Sequence, residues 1–236
     1  MTNQNMFYPI HYSLDKSSSQ RIIIHQQDDL CITHEHLFQD GTPTRFYQNQ
    51  VDTFCFIIQG EIFLQKDKQE TSVKKQQGIW LDALSLSKVT LLTPKVELCF
   101  IHFNKVKNKE AKPLEKVSSG TVESESGRNH IKVWPLWQGE SGSISLELYP
   151  AHYYETLYYQ KVATQYILPL SGTAYIASNT KEHQACDSLG KVLLKKEPRA
   201  ISNPSADSII VLLVTTSHTK GRVLLLTKKA KNSTQD

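Results

Sequence analysis

Apolar and polar residues alternate in short blocks along this chain. Residues 30–38, 53–58, 61–64, 96–103, 144–149, 165–170 and 209–214 are rich in β-branched and aromatic side chains, and polar turns bound them. Such blocks are the signature of short strands. Nowhere does an apolar stripe at helical spacing persist for the length of a helix. The pattern predicts an all-β protein of many short strands, hence a sandwich or barrel.

The blocks repeat. Gly60 follows FCFIIQ and opens EIFL, and Gly172, 112 positions later, follows a similar run and opens TAYI. Gly78 and Gly190 are separated by the same interval and each opens another strand. At that offset ITHEHL (32–37) falls on ISLELY (144–149), and LCFIH (98–102) falls on IVLLV (210–214). Four landmarks at one ungapped offset imply a tandem duplication. A glycine where one strand ends and the next begins marks a tight turn that needs positive φ. The stretch 105–129 is rich in Lys, Glu, Ser and Gly, lacks a strand pattern and reads as a linker. The expected division is an N-terminal barrel over 1–104, a linker over 105–129, a C-terminal barrel over 130–219, and a terminal strand and tail over 220–236.

Composition narrows the function classes. Apolar residues make up 39% and charged residues 21%, and the net charge of +4 comes from dispersed lysines and arginines. Nucleic-acid binders concentrate basic residues beside aromatic platforms, so no nucleic-acid partner is expected. No apolar run approaches membrane-spanning length and the N-terminus lacks the pattern of a signal peptide. A cytoplasmic location, with no membrane partner, is the expectation. Cys31, Cys55, Cys99 and Cys186 form no CxxC pair and read as small hydrophobes.

The order strand, Gly, strand, polar hairpin, Gly, strand, carried by residues 30–64 and again by 139–176, resembles the cupin superfamily and, within it, a pirin-type bicupin. The resemblance implies two tandem cupin barrels of the double-stranded β-helix, or jelly-roll, kind. It also implies a metal held by an HxH pair, an acid a few residues on, and a further His. Pirin-like spacing puts Phe46 and Gln48 at the two His positions and Asp52 at the acid; the general cupin spacing lands on Tyr47, Asn49 and Thr53. The second-half equivalents are Tyr158, Gln160 and Thr164, and neither half has a His after its second glycine in the expected strand. A divalent cation needs several imidazole, thiolate or carboxylate ligands. No metal is therefore expected at the standard positions. Alternation with Asp52 pointing inward would place Phe54, Phe56 and Ile58 inside the first barrel. Phe46, Gln48, Asp52, Phe54 and Phe56 are accordingly the candidate pocket residues.

One alternative set stands out. His34 and His36 share a strand face, and with Asp52 and His102 they would form a relocated site for a divalent transition metal such as iron. Their repeat partners are leucines, and the second barrel reads as structural, its tyrosines (149–159) as packing. No nucleophile elbow, phosphate loop, dinucleotide fingerprint or zinc-protease helix is present. Catalytic residues are thus unassigned and the balance leans away from an enzyme. The leading expectation is a pirin-like bicupin without a standard metal, binding an unidentified small molecule or protein partner. The alternatives are a quercetinase-type dioxygenase with a relocated metal, and a metal-free isomerase using His34 or His36 with Asp52.

Overall fold

The computed structural model describes residues 10–11, 18–39, 44–48, 51–103, 114–179, 182–216 and 221–225; the side chains of 10, 11, 44–46 and 48 lie outside the described set. The first half supplies β1 (Ile10–His11), β2 (Gln20–Gln26), β3 (Leu30–Phe38), β4 (Thr44–Gln48) and β5 (Thr53–Gln59). It continues with β6 (Glu61–Lys66), β7 (Gln69–Lys74), β8 (Gly78–Leu81), β9 (Leu86–Leu91) and β10 (Lys95–Phe103). After the short β11 (Lys116–Val117) and β12 (Glu125–Ser126) come β13 (Lys132–Gly139), β14 (Gly142–Tyr149), β15 (Tyr153–Tyr154), β16 (Tyr158–Gln160) and β17 (Gln165–Ser171). The last are β18 (Tyr175–Ala177), β19 (His183–Ala185), β20 (Lys191–Leu193), β21 (Ala200–Asn203), β22 (Ile209–Thr216) and β23 (Arg222–Leu224). Among the described residues a single 3-10 turn, at Arg128–His130, is the helical exception.

Each half closes two sheets face to face. In the first, β11-β8-β5-β10-β3-β2 packs against β1-β4-β9-β6-β7; in the second, β12-β13-β14-β22-β17-β20 packs against β15-β21-β18-β19. Pairing is antiparallel throughout, so each strand presents alternate side chains to opposite faces. Gly60 and Gly172 have φ of +88° and +65° at the equivalent strand-to-strand turns. There a side chain would be strained, as the repeat spacing predicts. The fold is all-β, two tandem barrels of duplicated design. One detail differs from the expected matching. Cys99 faces His34 where Leu212 faces Leu146, so the last strands correspond with a one-residue shift from the ungapped alignment.

The two six-stranded sheets are buried on both faces. One face of each lines its own barrel: Cys55, Ile57, Leu98 and Phe100 in the first, Ile167, Val211 and Leu213 in the second. The opposite faces meet each other, with Ile32, Phe54, Phe56 and Ile101 packed with Ile144, Tyr166, Leu168 and Val214 in one core. Trp137 of the second half continues the interface, stacked on Phe103 at 5.0 Å and edge-on to Trp80 at 5.1 Å. This corrects the expected orientation of Phe54 and Phe56. They point away from the first barrel's interior, and the opposite parity, Thr53, Cys55 and Ile57, points in. The alternation argument assumed one buried face, whereas the second barrel covers the other.

The stretch expected to be strandless also carries structure where it is described. β11 adds to the edge of β8, and β12 to the edge of β13. Short polar strands of this kind satisfy open sheet edges with backbone alone, which needs no apolar pattern. All four cysteines are free, three of them buried. Among the described residues no helix is long and apolar enough to cross a membrane.

Candidate functional site

The strand ends fix where a site can lie. The β2–β3 hairpin, the β4–β5 connection, the β8–β9 connection and the end of β10 gather at one end of the first barrel. There His102 pairs with Cys31, one step beyond the Ile101–Phe54 pair and so toward Thr53, and Ser87 sits beside Tyr47. By strand alternation all five point inward, because Phe100, Cys55, Tyr47 and Val89 on the same faces belong to the barrel core. Asp52 lies at the rim, half-buried, where its Oδ1 accepts the Ala83 N–H at 2.7 Å and ties two rim connections together. Phe46 and Gln48 lie on β4, their side chains outside the described residues.

Deeper in the same barrel is a carboxylate that the sequence reading passed over. Glu35 is fully buried. It accepts Arg21 Nε at 2.6 Å and the Tyr47 hydroxyl at 2.7 Å. Its repeat partner at offset 112 is Glu147, which accepts Tyr149 Oη at 2.5 Å and Arg128 at 3.5 Å. Its signal in the sequence is an identical residue at the repeat spacing, between His34 and His36.

Those histidines do not form a metal site. His34 and His36 point to the inter-barrel face, whereas His102 points into the barrel from the other side of the same sheet. Asp52 is committed at the rim. The relocated set His34, His36, Asp52 and His102 therefore cannot converge. Nor do the described residues around His102 fit a divalent ion, since its imidazole has hydroxyls and a thiol beside it and the Glu35 carboxylate is already held by Arg21. Among the described residues no group of three His, Cys, Asp or Glu side chains is placed to hold a metal.

The two barrels differ at this end in one instructive way. In the second, the bridge between Tyr158 and Arg199 corresponds to the pairing of Tyr47 with Ser87. Gln165 and Thr215, cross-strand partners, take the places of Thr53 and His102. All four second-barrel side chains are bonded. Gln165 accepts Tyr158 Oη at 3.3 Å and Arg199 at 3.2 Å, and its amide donates to Thr215 at 3.2 Å. Arg199 also donates to the Leu193, Leu194 and Glu197 carbonyls. In the first barrel, by contrast, Ser87 Oγ and His102 Nδ1 are buried with no hydrogen-bond partner among the described residues. Both residues are only 1% exposed. Burial holds the His102 imidazole neutral, its pKa pushed down to about 4.

The second barrel is more polar inside than the sequence suggested. Glu155, fully buried, receives Arg128 Nε at 2.6 Å and Arg222 at 2.7 Å on one oxygen and the Ile201 N–H at 3.0 Å on the other. Arg222 lies over the Tyr158 ring at 4.0 Å. Burial opposes the charge on Arg128, but Glu147, Tyr149 and Glu155 outweigh it and hold the guanidinium firmly protonated. Arg128 precedes two left-handed residues, Asn129 and His130, in a turn closed by the Gly127 N–H to Ile131 carbonyl bond. That backbone costs on the order of 1–2 kcal/mol per residue and persists because the ion pairs over-determine it.

No protein-family model matches the chain, and no curated protein matches it in sequence. Solved structures do match in fold. AerE from Microcystis aeruginosa is 13% identical with a TM-score of 0.67, over 89% of this chain and 99% of that one. A cupin 2 conserved barrel domain protein from Leptotrichia buccalis is 10% identical with a TM-score of 0.66, over 87% and 92%. The oxalate decarboxylase of Lactobacillus farciminis, in its formate complex, is 10% identical with a TM-score of 0.65, over 95% and 90%. At such identities the likeness carries the fold alone. The chain has the fold of cupin-domain proteins.

Proposed function

We propose that this chain is a pirin-like bicupin that binds a small molecule in the end of its N-terminal barrel, without a metal, and that the C-terminal barrel is the structural partner. The observation that carries the reading is the pair of buried, unpartnered polar atoms, Ser87 Oγ and His102 Nδ1, at one barrel end. Buried polar groups are almost always satisfied, so an orphaned pair marks a missing partner. The equivalent positions of the other barrel supply a control within the molecule. There a long arginine side chain fills the end, and Tyr158, Gln165, Arg199 and Thr215 are hydrogen-bonded to one another or to backbone carbonyls. The oxalate decarboxylase neighbour binds formate within the same fold, which supports small-molecule binding in general and no particular ligand.

A thermal-shift screen of small metabolites against the purified protein tests this reading. A saturable stabilisation that Ser87→Val or His102→Leu abolishes is the expected result. Elemental analysis completes the test, because a stoichiometric transition metal would overturn the metal-free clause.

A further inference from the structure

Resting on that reading, we propose that the N-terminal barrel end takes an uncharged, partly apolar molecule through a hydroxyl or carbonyl group, and discriminates against the corresponding carboxylate. Three observations lead there. First, the carboxylates seen at this end are already engaged: Glu35 is held by Arg21, and Asp52 accepts the Ala83 N–H. A second anion would enter a buried site with no uncommitted cation among the described residues, and desolvating an unpaired carboxylate is far more costly than desolvating a hydroxyl.

Second, the two orphaned atoms suit a neutral partner. A serine hydroxyl both donates and accepts, and a neutral imidazole nitrogen does one or the other according to tautomer. A ligand hydroxyl answers either arrangement, and a carbonyl oxygen accepts from both when the His102 proton is on Nδ1. Burial disfavours the imidazolium that would attract an anion. Third, the neighbouring inward side chains are apolar or weakly polar: Leu81 opposite Thr53, Cys55 and Val89 beyond, and Phe100 below His102. These offer dispersion contacts to a hydrocarbon body and nothing to a second charged group.

Three probes of one ring size separate the classes: benzyl alcohol, benzoate and toluene. Binding is read by thermal shift and by the His102 ring-nitrogen resonances in protein labelled with nitrogen-15 at histidine. Benzyl alcohol is expected to bind at least ~10-fold more tightly than either other probe, the factor that one satisfied buried hydrogen bond supplies. The advantage over toluene should vanish in Ser87→Ala and in His102→Phe, with the far-ultraviolet spectrum unchanged. Benzoate binding as well as or better than the alcohol, with movement of the His102 resonance, would overturn the ligand class and leave small-molecule binding standing. If no probe binds, and Ser87→Val raises stability as the filling of a water-occupied gap would, both the class and the binding reading fall.

Discussion

His34 Nε2 lies 2.6 Å from the Tyr166 hydroxyl, across the interface between the barrels and 132 residues away in sequence. Tyr166 gives its only proton to the Leu189 carbonyl at 2.8 Å, so His34 must be the donor, and its tautomer is fixed. The duplication supplies the comparison. At the equivalent positions stand Leu146 and Phe54, both in the same interface core. The interface thus holds a polar solution on one side and an apolar one on the other. Tyr166→Phe alone leaves a buried N–H unpaired and should cost about 1–3 kcal/mol. The pair His34→Leu and Tyr166→Phe together, which copies the apolar side, should recover most of that loss. Urea unfolding of the double-mutant cycle measures it, and a strictly additive result would deny the coupling.

Acid should destabilise the protein through buried histidines. The His34 ring is pushed down to about 4 by burial and by His36, with Glu97 pulling weakly the other way, and His102 is pushed to about 4 by burial alone. In the unfolded chain each takes up its proton near pH 6.5. Between pH 6.5 and 4 the unfolded state therefore binds more protons, and stability falls as pH falls through that window. Above pH 6.5 nothing is lost. Each shift is worth at most about 3 kcal/mol by the time pH reaches 4. Urea midpoints taken from pH 7 to pH 4.5 should fall in the wild type, and His34→Leu should fall less steeply. Equal slopes would remove His34 from this account.

Glu155 joins two segments that are far apart in sequence, Arg128 after β12 and Arg222 on β23. The terminal strand β23 pairs with β16 in the place that β1 takes beside β4 in the first barrel. Glu155→Gln would leave two guanidiniums with weaker partners at a largely buried position. The expected cost is roughly 2–4 kcal/mol, at the lower end of what breaking a buried pair costs, because both arginines keep some access to water. Chemical denaturation gives the stability. Faster hydrogen exchange confined to β16 and β23 would show that the carboxylate holds the strap.

The duplication was legible because the strands Leu30–Phe38 and Thr53–Gln59 have counterparts of nearly the same length at one offset, and the glycine turns fall where positive φ demands them. The facing of Phe54 and Phe56 was not legible. A sheet sandwiched between its own barrel and a second one has two apolar faces, so alternation loses its sign, and the larger aromatics chose the interface. Ser87 carried no signal at all in the sequence. Its meaning arises only from the contrast with Arg199, which depends on β16 meeting the residue just before β21 through a bridge. Glu155 was equally silent, since its partners arrive from the linker and from the last described strand.

Gly78 and Gly190 occupy equivalent positions but are required for different reasons. A Cβ on Gly78 would lie 2.1 Å from the Phe54 ring edge, while Gly190 adds a φ of +79° to a contact with Tyr166, the repeat partner of Phe54. The ring at each site lies close against backbone that has no side chain, which lets the outer sheet face meet the other barrel. Gly78→Ala should therefore destabilise by about 1–3 kcal/mol through overpacking. Its loss should be relieved when Phe54 is trimmed to Leu, because the clash then disappears. Gly190→Ala should cost more, and trimming Tyr166 to Leu should relieve only part, because the backbone strain of a left-handed alanine and its 2.6 Å approach to the Ile167 carbonyl stay. Thermal unfolding of the four variants decides the matter. Equal rescue at both sites would show that packing alone, and not backbone conformation, fixes these two glycines.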